Sequence, residues 1–130
     1  LSSDLGFSEV DRAEDMRRVA GVARLLNREG IDAMVALVSP STHGRASARD
    51  IVGKERFIEI YVSTPLNICQ QRDPKGLYRR AANNEQLQLT GVQAPYEPPE
   101  YPELMIDTSQ MALSEAILHL DSVLKSRSAN

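Results

Sequence analysis

The sequence holds a single cysteine, Cys69, in 130 residues, so no internal disulfide can form and no cysteine cluster can bind a metal. Its two histidines, His43 and His119, are scattered and supply no ligand spacing. No apolar run is long enough to span a bilayer: the longest, Ala33 to Val38 with Ile31 nearby, falls far short. Positive charge is not in excess. Fifteen Lys and Arg against 18 Asp and Glu leave a net charge of −3, which gives no general attraction to nucleic acid or an anionic membrane. A local basic pocket for an anionic nucleotide stays open. The first residues show no basic patch followed by an apolar stretch, so no secretory signal is visible and the expected compartment is the cytoplasm.

At 42% apolar residues, residues 1–130 can bury one core and read as one domain, without internal repeat or linker. Ser8 reads as a helix N-cap, with Glu9 and Asp11 in the first turn where the helix dipole favours acids. Met16, Val19, Ala20, Ala23 and Leu26 recur at helical spacing up to Gly30, a stop signal. The run 31–38 is almost continuously apolar and ends at Ser39-Pro40, the pattern of a strand buried on both faces. A short helix is expected over Arg45 to Val52, a second strand over Phe57 to Val62, and a helix from a Thr64-Pro65 start to Arg72. Gly76 to Arg80 reads as a short helix, Pro95 to Pro102 as loop, and Leu104 to Ile106 as a third strand. A closing helix over about 111–125 carries Leu113, Ala116, Ile117, Leu120 and Leu124 on one face. Strands alternating with helices predict an α/β domain with a mainly parallel sheet.

Several residues can carry chemistry, and each has a plainer reading beside it. Ser39 follows the first apolar strand at its carboxyl end, where open α/β sheets place ligands; it can equally be no more than the strand's end. Arg72, Lys75, Arg79 and Arg80 surround Asp73-Pro74-Lys75-Gly76, a cluster able to clamp phosphate or sulfate, or else a solvated charged face. Arg12 stands near a helix start, where a cation opposes the dipole; a pairing with Glu9 or Asp15 would also account for it. Tyr78 and Tyr96 can stack on a base or simply pack. His119 and Cys69 read as structural.

Four segments, taken in order, resemble the adenylyl-sulfate kinase (APS kinase) family. They are Asp4-Leu5-Gly6-Phe7-Ser8 with Asp11-Arg12, Val38-Ser39-Pro40, Arg72-Asp73-Pro74-Lys75-Gly76-Leu77-Tyr78, and Thr90-Gly91-Val92 followed by Ala94-Pro95-Tyr96-Glu97. The resemblance runs from residue 1 to about 109. It implies a P-loop kinase-like three-layer α/β domain with a parallel sheet, of which this chain would lack the first strand or strands. It implies ATP-dependent phosphorylation of the 3′-hydroxyl of adenylyl sulfate, giving 3′-phosphoadenylyl sulfate, with ATP as co-substrate and Mg²⁺ as cofactor. The implied partners are a second copy, in a homodimer, and a fused or associated sulfate adenylyltransferase. By position, Phe7 would pack on the adenine of adenylyl sulfate and Arg12 would hold the phosphosulfate. Val38 and Ser39 would border the same nucleotide, and the family's phosphoserine position falls on Ser39, the candidate catalytic residue. Asp15, Lys75 and Leu89 would complete the substrate site, and Arg72 would face ATP; no metal ligand is assigned.

The pattern G-x-x-x-x-G-K-S/T, whose amides and lysine cradle ATP phosphates, does not occur, and neither does the family's Asp-Gly-Asp-Asn-x-Arg segment. Both are expected upstream of Leu1. Asp15 stands where the family has asparagine, Thr42 where an arginine is common, and Ser63 where aspartate is usual. Leu89 replaces a phenylalanine that closes over the adenine, a lost stacking partner worth roughly 1–3 kcal/mol. A degenerate, non-catalytic nucleotide-binding or regulatory domain is the alternative these departures suggest. The family's phosphate-loop strand lies between the strands matching 31–38 and 57–62, so those two are not expected to pair directly, and the chain alone is expected to be inactive.

Overall fold

A computed structural model describes residues 1–83, 89–92 and 94–128. The chain divides into two compact units, residues 1–57 with 92–98, and residues 58–91 with 99–130.

The first unit is built on α1 (Glu9–Arg28) and α2 (Thr42–Val52), followed by a single 3₁₀ turn over Lys54–Arg56. Ser8 caps α1 as expected, its hydroxyl accepting from the Asp11 amide at 3.1 Å. Met16, Ala20 and Ala23, three of the residues at helical spacing, are buried. α2 begins earlier than its sequence suggests: Ser41 is the N-cap, and its hydroxyl accepts from the Gly44 amide at 3.1 Å. The two helices pack on one another, and the contact is close because Gly44 has no side chain. A Cβ there would stand 2.9 Å from both the Met16 sulfur and the Ser41 hydroxyl.

Between the helices, Gly30 takes a positive φ of 76° and releases the chain into the run 31–38. That run joins no ladder among the described residues, which corrects the strand expected there. A strand needs a neighbour for its amides and carbonyls, and this unit contains no assigned strand among its described residues. Met34 accordingly remains 82% exposed, with Ile31, Val35, Leu37 and Val38 also open.

Arg18 pins the residues ahead of α1. Its guanidinium donates to both carboxylate oxygens of Asp4, at 2.6 and 2.8 Å, and to the Leu1 carbonyl at 3.2 Å. Its Nε donates to Glu14 at 2.8 Å, and Arg17 holds the same carboxylate at 2.6 and 2.8 Å. Hydrogen bonds from Arg17 and then Arg18 lower the Glu14 pKa to about 2, and the Arg18 hydrogen bond leads in lowering that of Asp4.

The second unit carries β1 (Ile60–Val62), α3 (Leu66–Arg72), α4 (Leu77–Ala82), β2 (Leu104–Ile106) and α5 (Leu113–Ser128). β1 and β2 pair in parallel, with Tyr61 opposite Met105. β1 is shorter than the expected 57–62 because only its last three residues meet β2. Thr64 is not the cap of α3. Pro65 occupies that place, and the Thr64 hydroxyl instead accepts from the Thr108 amide at 3.0 Å and lies 2.8 Å from the Thr108 hydroxyl. The ends of the two parallel strands are thereby tied together. The apolar face expected on α5 is only partly covered: Ala116 is buried, while Leu113 and Ile117 are exposed.

Two measurable consequences follow from this packing. Gly44→Ala gains helix propensity but drives a methyl into Met16 and the Ser41 cap, and overpacking of this kind costs about 1–3 kcal/mol against a propensity gain of at most about 1. A lower denaturation midpoint is therefore expected, measured by urea unfolding. The second concerns acid. Carboxylates with lowered pKa values stabilise the docked N-terminal residues above about pH 4.5 and cease to do so as the pH falls towards 2. These pairs are solvated, so the loss is local rather than global. Protection of the Leu5 amide, which bonds the Ser2 carbonyl at 3.1 Å, should fall through that window, and Arg18→Ala should abolish the pH dependence in hydrogen exchange.

Candidate functional site

Within the first unit, the N-terminal residues, the start of α1 and the end of the run 31–38 enclose a cleft of about 320 Å³. Five residues singled out in the sequence line it together: Phe7, Arg12, Asp15, Val38 and Ser39. They come from two places far apart in the chain.

The cleft's shape follows from local rules. Ser8 starts α1, so Arg12 lies one helical turn in, and its Nε turns back to donate to the Phe7 carbonyl at 3.1 Å. The same guanidinium lies 5.9 Å from the Phe7 ring centroid, a cation–π distance. A cation at a helix start, which the dipole opposes, is thus held by a carbonyl and a ring on the chain just before it. The Phe7 ring is 75% exposed and offers a face to anything entering the cleft. Asp15 follows Arg12 by three residues, on the same side of α1, and Met16 closes the floor.

On the opposite wall, Ser39 adopts a φ of 45°. This left-handed conformation costs an L residue roughly 1–2 kcal/mol, and strain of this kind tends to collect at functional positions. The Ser39 carbonyl accepts a hydrogen bond from Arg45 Nη1 at 2.8 Å. Arg45 also donates to the Glu97 carbonyl at 2.6 Å and to the Thr42 hydroxyl at 3.2 Å, and lies 5.8 Å from the Tyr96 ring centroid. The Glu97 carboxylate accepts from the Thr42 amide at 2.6 Å, at the N-terminus of α2. The Glu97 amide donates to the Pro40 carbonyl at 2.9 Å. The bonds from Thr42, and then the charge of Arg45, hold the Glu97 pKa below its ordinary value. In the sequence Arg45 marks only a helix start, Tyr96 reads as a stacking or packing residue, and Glu97 carries only the resemblance. The available signal was the Tyr96-Glu97 pair itself, in which Glu97 has no role attached.

The remaining sequence candidates lie in the second unit. Arg72 donates to the Thr108 hydroxyl at 2.6 Å and to the Thr108 carbonyl at 2.8 Å, at the carboxyl end of β2. Asp73 takes a φ of 21°, and its carboxylate accepts from the Tyr78 and Arg79 amides at 3.2 and 3.1 Å, capping α4. Gly76, with a φ of 63°, completes this turn, so Asp73-Pro74-Lys75-Gly76 is a tight helix-to-helix connection with Lys75 exposed at its tip. Leu89 is half-buried. Among the described residues, no three His, Cys, Asp or Glu side chains are grouped to hold a metal ion, and no helix is long and apolar enough to cross a membrane.

Comparison with known proteins agrees with the motifs. The family model for adenylylsulphate kinase matches residues 1–107. The adenylyl-sulfate kinase of Bacteroides thetaiotaomicron is 45% identical over 120 residues, which are 92% of this chain and 60% of that protein. The bifunctional enzyme NodQ of Rhizobium tropici is 44% identical over 127 residues, 98% of this chain and 20% of that one. The structure of the Mycobacterium tuberculosis APS kinase CysC in complex with AMPPNP and APS matches with a TM-score of 0.89 at 38% identity, covering 95% of this chain and 72% of that one. The chain thus spans about three-fifths of the length of its Bacteroides relative. With the family model matching well over half of its residues, the chain belongs to the adenylylsulphate kinase family, and its α/β architecture with a parallel sheet is that of a P-loop kinase.

Proposed function

We propose that this chain forms the adenylyl-sulfate side of an adenylyl-sulfate kinase, which transfers the γ-phosphoryl group of ATP to the 3′-hydroxyl of adenylyl sulfate. The observation that carries this reading is the convergence of Phe7, Arg12, Val38 and Ser39 on one cleft. The aromatic face of Phe7 suits a purine. The Arg12 guanidinium suits the phosphosulfate, since a planar fork matches the geometry of such oxygens. Val38 and Ser39 offer an apolar edge and a hydroxyl to the rest of the nucleotide. Phosphoryl transfer rests largely on positioning and on cations that meet spread negative charge, and this cleft supplies the positioning of the acceptor. Ser39 is the candidate catalytic residue, at the carboxyl end of the run 31–38.

Lys75 and Leu89 are proposed to complete the adenylyl-sulfate site and Arg72 to serve the ATP side. The Thr108 contacts of Arg72 give it a fixed position from which to do so. Mg²⁺ is proposed to accompany ATP and neutralise its phosphates. The described residues of this chain group no ligand set for it, so no step is assigned through the ion here. Bifunctional NodQ makes a fused sulfate-activating partner one arrangement to test, and a homodimer another. The compartment proposed is the cytoplasm.

Calorimetric titration of the 130-residue chain with adenylyl sulfate tests the reading: saturable binding is expected, and its absence would overturn it. In a protein that also carries the family's N-terminal phosphate loop, Arg12→Ala should weaken adenylyl sulfate by on the order of 1.5–3 kcal/mol, the worth of a charged hydrogen bond, and ATP less. Equal weakening of both nucleotides would mean general destabilisation instead. Asp15→Asn removes a negative charge beside the anion and should tighten adenylyl sulfate by about tenfold or less, most clearly at low salt. Because the chain contains no phosphate-cradling glycine-lysine motif, it should form no 3′-phosphoadenylyl sulfate on its own when assayed with ATP and Mg²⁺.

A further inference from the structure

Among the described residues, Arg45 is the one charged side chain that is buried, at 8% exposure. It stands behind Ser39 and is not part of the cleft wall. We propose that Arg45 is a positioning residue for the cleft: it holds Ser39 in its left-handed conformation and fixes that turn to the Tyr96–Glu97 segment. The proposal rests on the reading of the cleft as the adenylyl-sulfate site.

Three features of the geometry argue for it. Ser39, at φ 45°, is a residue with a Cβ in a region where only glycine is at ease. Its carbonyl receives a charge-assisted bond from a guanidinium at 2.8 Å, and such bonds are stronger than those between neutral groups. The acceptors that share this guanidinium, the Glu97 carbonyl at 2.6 Å and the Thr42 hydroxyl at 3.2 Å, come from another loop and from the first residue of α2. A guanidinium is planar and rigid, so acceptors that share it are fixed relative to one another. Moving Ser39 out of the left-handed region would pull its carbonyl away from the fork and leave a buried donor without this acceptor.

The direction in which Ser39 presents its hydroxyl and flanking peptides is therefore set by Arg45. A lysine at this position keeps the charge but loses the fork. A glycine at position 39 reaches a positive φ without help. These two substitutions separate a positioning role from general packing.

The test is a double-mutant cycle of wild type, Arg45→Lys, Ser39→Gly and the double variant, followed by thermal unfolding and by calorimetric titration with adenylyl sulfate. Arg45→Lys is expected to weaken adenylyl sulfate about tenfold in the Ser39 protein but about threefold or less when residue 39 is glycine. The drop in melting temperature caused by Arg45→Lys should likewise shrink in the glycine background. Equal losses in the two backgrounds would overturn the proposal, because Arg45 would then act independently of the Ser39 backbone. Wild-type protein that binds no adenylyl sulfate would refute the nucleotide reading, yet the unfolding cycle would still decide whether Arg45 and Ser39 are coupled. Should Arg45→Lys fail to fold, Arg45→Gln, which keeps an amide donor, takes its place in the same cycle.

Discussion

A guanidinium withdrawn from water needs acceptors around it, and Arg45 draws three stretches of chain together to supply them. Leaving such a charge buried and unpaired would cost several kcal/mol. The Ser39 carbonyl, the Thr42 hydroxyl and the Glu97 carbonyl meet the fork, with the Tyr96 ring beside it. Glu97 contributes twice, since its carboxylate also sits on the Thr42 amide, where the α2 dipole favours negative charge. The end of the run 31–38, the start of α2 and the loop 94–98 are thereby one polar knot. The cleft wall at Ser39 is part of it.

The second unit ties its extended ends together with hydroxyls and an arginine. Two parallel strands leave their carboxyl ends facing the same way, and that end of an open α/β sheet is where ligands gather. There the Thr64 and Thr108 hydroxyls meet, and Arg72 reaches from the last turn of α3 to hold Thr108 by side chain and backbone. Asp107 joins in by accepting from the Ser109 hydroxyl and amide, which keeps its pKa below the ordinary value. Each unit thus places an arginine of a helix where an extended segment ends, bonded to a backbone carbonyl. A cation so bonded has little rotamer freedom left to lose.

What could be read from the sequence was whatever local rules decide. The span of α1 followed from the Ser8 cap, the spacing of Met16, Ala20 and Ala23, and Gly30. The turn at Asp73 to Gly76 was legible as a motif, and its physical content is one carboxylate capping α4. The apolar character of 31–38 was plain, but a ladder depends on a neighbouring strand that no local pattern supplies. Thr64 illustrates the other failure: beside a proline it has every mark of a cap, yet a hydroxyl 44 positions away in sequence competes for it and wins. Arg45 follows the same rule. An arginine in a short polar helix reads as solvated until a distant loop brings it carbonyls.

The electrostatics of the cleft follow from which charges share one face of α1. Arg12 brings positive charge to the opening of the cleft, and the Phe7 carbonyl keeps its guanidinium turned back towards the residues ahead of α1. Asp15, one turn further on, subtracts from that field within the same cleft. Asp4 and Glu14 add little to this subtraction: they are matched by Arg18 and Arg17 at bonding distance, so their fields largely cancel beyond the pair. Among the residues that line the cleft, Arg12 and Asp15 are the two that carry charge. Glu9 and Asp11, in the first turn of α1, add negative charge near the helix start, so the charge that the cleft wall presents depends on the opposition of Arg12 and Asp15, and Asp15 is the lining position at which that balance can be shifted.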